Sequence, residues 1–323
     1  MPDCGSQSGP DYVALRAHAK INLALAVAPP IREPGPTEGM HPIASWMAPI
    51  GLADTVEIVR VPESAAVSGH DIAWADGSPI EWPIGSDLAV RAHRALEADT
   101  GRDLPVRITV RKSIPAGGGL CAPSADAAAV LCGLNRLYGL GLGTDRLRTI
   151  ASSLGSDIPF FIPDNPNPGS PPGAALVTGL GEMIEPAPVR GLVGNENEER
   201  GDAGIPITLV FPVFGCPTGE VYRAFDESLD VGAAFRADRV AAMADVVLID
   251  PSALFNDLAG PACRVRPTLA VIMERIADEV GGPVHVSGSG STVFVFGSWA
   301  DRLRAVLTTE CVAAETTVLS CSS

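Results

Sequence analysis

Residues 112–131 read KSIPAGGGLCAPSADAAAVL: a lysine, a proline, three consecutive glycines and then an alanine-rich run. Glycine lacks a Cβ, so a loop of Gly117, Gly118 and Gly119 lets backbone amides come close to whatever they face. The following run predicts a helix, strongly so over residues 127–137, with Ser124 placed to cap it. Glycines leading into a helix N-terminus suit an anion, and phosphate in particular. No Gly-Lys-Ser/Thr follows, so this is not a Walker A loop, and the third glycine of the dinucleotide fingerprint is missing. A plain structural turn would use the same residues.

Working outward, residues 13–28 form an apolar strand region interrupted by Lys20 and Asn22, which share a face because side chains alternate along a strand. Residues 29–38 are rich in Pro and Gly and read as a loop. Strand-like runs recur at 55–61 and 106–110, with helical periodicity over 87–98 between them. Past the glycine loop, residues 144–154 read as a helix with Thr144 as N-cap. A linker-like segment covers 163–173 and an exposed polar loop 191–204. A buried strand is expected at 207–211, helices at 220–225 and 266–279, and a Gly/Ser turn feeding a strand over 284–296. Residues 1–11 read as a mobile tail. Helix and strand mix throughout, which points to an α+β protein rather than a regular doubly wound sheet.

The chain has 323 residues, a length that suggests two domains. Its 38 acidic and 23 basic side chains give a net charge of −15, which argues against a nucleic-acid binder working by phosphate neutralisation. A small anionic substrate needs only a local positive site. Hydrophobic residues make up 46% and charged residues 19%, enough for a sizeable core. Apolar runs fall short of the ~20 residues of a membrane span, and no secretory signal is visible. Seven cysteines without a Cys-x-x-Cys pair signal neither a disulfide framework nor a zinc site, so incidental thiols in a reducing cytoplasm are expected. Of the 23 cationic side chains only two are lysines, Lys20 and Lys112. In a chain so biased toward Arg, a surviving Lys marks a place that needs a compact ammonium, or survives by chance.

Three further segments hold chemistry-bearing residues. Ser287-Gly288-Ser289-Gly290-Ser291 precedes an apolar strand and reads either as a ligand-facing turn or as a tight hairpin. In LGSDIPFF, residues 154–161, Asp157 stands in apolar surroundings and needs a partner, which Lys20 would supply; capping of a turn is the simpler alternative. His41, in Gly-Met-His-Pro, is a lone histidine of the kind that is usually structural.

Each signal is weak by itself, but together they stand in a telling order. AKINL at 19–23, Gly-x-His at 39–41, the glycine loop, LGSDIPFF and SGSGS-x-VF resemble the GHMP kinase superfamily over about residues 16–300. Smaller matches agree: GLADTVEI at 51–58, DLAVRA at 87–92, PTGEVY at 217–222 and NDL at 256–258. The resemblance is greatest to those members that phosphorylate the 2-hydroxyl of a cytidine-diphosphate-linked methylerythritol in non-mevalonate isoprenoid biosynthesis. It implies a two-domain α+β fold: a ribosomal S5 domain 2-like N-terminal domain over 12–165 and a ferredoxin-like C-terminal domain over 174–310. It implies ATP and Mg²⁺, a small-molecule partner with neither nucleic acid nor membrane, and a cytoplasmic enzyme. Asp157 would orient or deprotonate the hydroxyl, and Lys20 would polarise it. Asn22, His41, Tyr222 and Thr218 would bind substrate, with His41 at the cytosine edge and Tyr222 stacked on the ring. Lys112, Gly117, Gly118, Gly119 and Ser124 would surround the nucleotide, Ser124 reaching Mg²⁺ through ATP. Gly288, Ser289 and Gly290 would close the phosphate end.

Two departures stand out. Where the family's loop continues with glycines, this chain has Cys121, Ala122 and Pro123, and Ala125 replaces a serine. Pro123 has no N–H to offer a phosphate. Met40 stands where the family commonly has an aromatic residue that stacks on cytosine. These departures keep two alternatives open: a GHMP kinase for another alcohol, and a GHMP-fold protein that has lost catalysis.

Overall fold

Apolar residues at every second position make a strand with one covered face, and the run from Tyr12 does so. In the computed structural model, β2 (Tyr12–Val27) alternates buried and partly covered residues up to Ala19 and is buried throughout from Lys20 onward. The structure describes residues 8–9, 11–62, 68–164, 171–193, 204–229, 234–307 and 311–319. The expected tail lies outside these except for Asp11 and the short strand β1 (Ser8–Gly9), which pairs antiparallel with the start of β2.

The chain forms two compact units. The first comprises Met1–Ala19, Leu52–Ile114 and Cys121–Pro172. The second comprises Lys20–Gly51, Pro115–Leu120 and Gly173–Ser323, so residues 20–51 and 115–120 cluster with the later part of the chain. Strands β2 and β3 (Ile43–Arg60) contribute residues to both units.

In the first unit, β5 (Val106–Lys112) pairs antiparallel with the end of β3 and parallel with β4 (Gly69–Trp74). Helix α1 (Leu88–Thr100) begins at Asp87, whose carboxylate accepts the Ala89 N–H at 2.9 Å, and stops at left-handed Gly101. Helix α2 (Ala122–Leu137) is almost wholly buried. Its Gly133 lets it lie flush on the strands: a Cβ there would fall 2.6 Å from Ile58 Cδ1 and 2.8 Å from Leu15 Cδ1. Helix α3 (Thr144–Leu154) has the expected bounds.

Two capping expectations are corrected. Ser124 lies inside the first turn of α2, and the N-cap is Cys121 in a left-handed conformation, φ 58°. Pro123 explains the shift: proline is tolerated in a first helical turn, where its missing N–H would be unpaired anyway. Thr144 likewise stands one residue inside α3 behind Gly143, and its hydroxyl bonds the carbonyl of Asp164 at 3.0 Å.

The second unit is built on an antiparallel sheet. Strand β6 (Ala175–Gly179) pairs with the start of β3 and with β7 (Met183–Pro186). Farther along, β9 (Ile205–Pro212) lies between β12 (Val293–Phe296) and β13 (Cys311–Val318), and β11 (His285–Val286) is at the edge. β8 (Gly191–Leu192) and β10 (Leu248–Ile249) form a separate parallel pair. The helices are α4 (Thr218–Asp226), α5 (Ala237–Asp245), α6 (Ala259–Val265), α7 (Pro267–Val280) and α8 (Ala300–Val306). Val221, Phe225, Leu269 and Ile272 pack with Leu25, Val210 and Val295 in one apolar cluster. The expected polar loop at 191–204 begins with β8, and residues 194–203 lie outside the described part, as do 165–170 of the expected linker.

Candidate active site

Lys20 is 3% exposed. Its Nζ donates to Asn22 Oδ1 at 2.6 Å and to the carbonyl of Gly119 at 3.0 Å. Asn22 in turn donates to Ser45 Oγ at 2.8 Å, and Ser45 donates to the Ala24 carbonyl at 2.9 Å. The strand period thus places Lys20 and Asn22 side by side, and hydrogen bonds fix both. Both acceptors of the ammonium are neutral, and an ammonium has three protons. Among the described residues this buried ammonium has only neutral acceptors, an arrangement that an arriving anion would complete.

The two glycine-rich segments of the second unit pack on each other. A Cβ on Gly119 (φ +74°) would lie 2.1 Å from the Ser287 carbonyl oxygen, and one on Gly118 would lie 2.4 Å from Thr292 Oγ1. Ser287 donates its hydroxyl to the Gly119 carbonyl at 3.1 Å, and the Thr292 N–H reaches the Gly118 carbonyl at 3.3 Å. Gly118 and Gly119 therefore serve a close approach between chain segments. Gly117 (φ +71°) has open space where its Cβ would be. Gly288 sits over the lysine, its absent Cβ 3.5 Å from Lys20 Nζ and 3.4 Å from Asn22 Oδ1. Asn256 pins that turn through bonds to the carbonyls of Val286 (2.8 Å) and Gly288 (2.7 Å). Gly290 faces Val286 and Cys216, and Ser289 Oγ lies 3.1 Å from Thr218 Oγ1.

Thr218 opens α4, and Tyr222 follows one turn later on the same face. The His41 side chain, 7% exposed, lies with its ring 4.9 Å from that of Tyr222. His41 Nδ1 is 2.9 Å from the Ala28 carbonyl, which can only accept, so this nitrogen carries a proton. Nε2 faces Asp226 Oδ1 at 3.6 Å. The sequence thus places a histidine and a tyrosine in one small cluster, with Met40 exposed beside it.

In the first unit, Asp157 is half-buried just before a short 3-10 turn (Ile158–Phe161), and Cys121 Sγ donates to its Oδ2 at 3.1 Å. Ser124 Oγ makes no recorded hydrogen bond among the described residues, whereas its amide is spent on the Cys121 carbonyl at 3.0 Å. Lys112 differs from expectation. Its side chain is 1% exposed, and its Nζ is held by Asp54 Oδ2 at 3.1 Å and by Asp126 Oδ2. Burial works against its charge, but Asp126 and Asp54 outweigh that and raise its pKa. This ammonium is an internal counter-charge and is not presented to a nucleotide. Asp54 also receives the amides of Ser113 (2.6 Å) and Ile114 (2.8 Å), whereas Asp126 Oδ1 is buried without a partner. Burial pushes Asp126 up to about 7, with Lys112 opposing and Asp54 adding to the rise.

Sequence reading missed Ser45 and Thr292, and gave no role to Asn256 or Ser287, which together hold the lysine and the glycine turns in place. NDL at 256–258 and SGSGS at 287–291 marked the places of Asn256 and Ser287. Among the described residues no group of three or more His, Cys, Asp or Glu side chains is placed to hold a metal ion.

Comparison with known proteins follows the same lines. The model of the GHMP kinases N terminal domain matches residues 87–164. A 4-diphosphocytidyl-2-C-methyl-D-erythritol kinase of Nocardioides sp. is 36% identical over 303 residues, 90% of this chain and 91% of the relative. One from Salinispora arenicola is 35% identical over 310 residues, 92% of this chain and 87% of the relative. A crystal structure of 4-(cytidine 5'-diphospho)-2C-methyl-D-erythritol kinase superposes with a TM-score of 0.68 at 28% identity, covering 96% of this chain and all of that one. Homoserine kinase from Cytophaga hutchinsonii, at 14% identity and a TM-score of 0.65 over 97% of this chain and 96% of its own, shares the fold.

Proposed function

Because the chain belongs to the 4-diphosphocytidyl-2-C-methyl-D-erythritol kinase family of GHMP kinases, we propose that it transfers the γ-phosphoryl group of ATP to the 2-hydroxyl of 4-diphosphocytidyl-2-C-methyl-D-erythritol, in the cytoplasm. The observation that carries the site assignment is the buried Lys20 ammonium, held by Asn22 and the Gly119 carbonyl beneath Gly288.

Phosphoryl transfer depends on positioning and charge neutralisation more than on covalent chemistry by the protein. Lys20 has a proton to spare for the substrate hydroxyl or the transferring phosphoryl oxygens. Asn22, oriented by Ser45, holds Lys20 and offers its own polar edge to the substrate. Asp157 receives or directs the hydroxyl proton. A tertiary alcohol is a poor acid, so in a loose transition state the proton leaves late and Asp157 acts chiefly by orientation. Gly117 and Ser124 face the phosphates, and Mg²⁺, when bound with ATP, neutralises their charge. Gly118, Gly119, Gly288, Ser289 and Gly290 shape the phosphate end. His41, Tyr222 and Thr218 form the cytidine side, with His41 at the base edge and Tyr222 on the ring face.

The altered loop is the ground for a second reading, a GHMP-fold protein without catalysis. Cys121 nevertheless holds the left-handed conformation that glycine adopts freely, so the loop follows a glycine-like path there despite the substitution. The deciding experiment is an ADP-release assay with Mg-ATP and 4-diphosphocytidyl-2-C-methyl-D-erythritol, with Asp157→Asn as control. Turnover lost in the control supports the kinase. Folded protein that neither turns over nor responds thermally to Mg-ATP supports the second reading.

A further inference from the structure

A cavity of about 770 Å³ in the first unit is lined by residues that no part of the proposed mechanism uses, among them Arg60, His70, His93, Arg94, Arg102 and Tyr138. We propose that this cavity is a second binding site, specific for a small phosphoryl-bearing anion.

The first ground is charge. Acidic residues outnumber basic ones 38 to 23 in the chain, yet three guanidiniums gather here. Two carboxylates also line the cavity. Glu97 is engaged internally, accepting the Leu104 N–H at 2.9 Å and facing His93 Nε2 at 3.3 Å, and Asp103 is exposed. Arg94 and Arg102 are exposed and make no ion pair or hydrogen bond among the described residues. Arg60 stacks on the Tyr138 ring at 4.4 Å and donates to the Leu137 carbonyl, while its Nε makes no hydrogen bond and faces Asp11 Oδ1 at 3.9 Å. The unspent donors of Arg94 and Arg102, beside the fixed guanidinium of Arg60, match phosphoryl oxygens.

The second ground is the pair of imidazoles. His93 Nε2 donates to the Leu104 carbonyl at 3.0 Å, because a carbonyl only accepts. His93 Nδ1 is then an acceptor and takes the proton of His70 Nε2, 3.1 Å away. That chain fixes the His70 ring and leaves its Nδ1 as an acceptor, suited to a hydroxyl or a protonated phosphoryl oxygen of the ligand.

The third ground is separation from the proposed phosphoryl-transfer residues. Tyr138 follows the C-terminal end of α2, whereas Cys121, which bonds Asp157, caps its N-terminal end. Sixteen helical residues lie between them, about 24 Å at 1.5 Å per residue. The cavity is therefore not the ATP phosphate subsite.

The test uses the full chain with its histidine rings isotopically labelled. Orthophosphate, pyrophosphate and citrate are titrated in separately while imidazole resonances are followed by NMR. His70 and His93 signals are expected to move saturably, pyrophosphate binding tighter than orthophosphate and both tighter than citrate. The signals of His41 and His285 report binding elsewhere. An Arg94→Ala/Arg102→Ala variant should bind pyrophosphate at least about tenfold more weakly per guanidinium removed, with thermal stability and basal turnover unchanged. Unmoved His70 and His93 signals, or an undiminished response in the double variant, would overturn the site. Citrate binding as tightly as pyrophosphate would overturn the phosphoryl class.

Discussion

Ser287 donates its hydroxyl to the carbonyl of Gly119, 168 residues away in the chain, and so joins the two glycine-rich segments into one structure. The glycines of the first segment are therefore not equivalent. Gly119→Ala would set a methyl 2.1 Å from a backbone oxygen at a left-handed φ, and Gly117→Ala would meet only the left-handed strain. Urea unfolding should show a loss of about 2–5 kcal/mol for the first and about 1–2 kcal/mol for the second. Equal losses would contradict the packing.

Lys112 predicts a stability defect and not a nucleotide defect. Lys112→Met leaves Asp54 and Asp126 buried without their cation, so unfolding should cost about 3–5 kcal/mol less than in the wild type. Asp126→Asn keeps the better-bonded Asp54 pair and should change stability far less. Adding Asp126→Asn to Lys112→Met should recover part of the loss. For each folded variant the KM for ATP should stay near the wild-type value.

Acid stability has two opposing sources. Burial lowers the His285 pKa from 6.5 to about 4, with a bond to the Pro251 backbone opposing. The folded ring stays neutral where the unfolded one charges, so its contribution is present above pH 6.5 and is lost as pH falls toward 4, about 3 kcal/mol in all. Asp126, raised by burial, does the reverse: folded protein binds a proton that unfolded protein does not, and its contribution fades as pH rises from about 4 through about 7. His285→Gln should therefore leave a protein that gains stability between pH 6.5 and 4. Asp126→Asn should leave one that loses it. Denaturant midpoints across that range decide the matter.

At Cys121 a side chain occupies a backbone conformation suited to glycine, φ 58°. Cys121→Gly relieves that strain but adds unfolded-state entropy, so stability should change by no more than about 1 kcal/mol. If the Cβ obstructs nucleotide approach, the KM for ATP falls in this variant; an unchanged KM would show that the cysteine is accommodated.

Met40 is 40% exposed beside His41, where the family commonly has an aromatic residue. Met40→Tyr should lower the KM for the cytidine-linked substrate and leave that for ATP unchanged. An unchanged substrate KM would mean that the thioether already covers the ring face as well as an aromatic does.

Local patterns carried much of this fold. The strand around Lys20 and Asn22, helix α3 and the start of α1 at Asp87 were legible because alternation, helical period and capping chemistry are short-range. β13 was not, because its run CVAAETTV has only mixed burial and pairs across the sheet with β9, about a hundred residues earlier. The fate of Lys112 was hidden for a similar reason. Asp54 lies 58 residues before it, and nothing near either residue announces the pair. The glycines could be read as a loop but not as a contact, since the partner turn begins at Ser287. Ser124 reads as a cap because serine is a common N-cap ahead of a helical run, whereas the helix starts earlier and takes Pro123 into its first turn.

Both lysines of the chain, Lys20 and Lys112, are buried, at 3% and 2% exposure. The folded protein therefore shows no lysine to amine-reactive reagents. Succinimidyl dyes, lysine cross-linkers and enzymatic acylation would reach a lysine side chain only when a strand opens. Lysine labelling of this protein would thus serve as a clock for local opening, with Lys20 and Lys112 each timing a different unit.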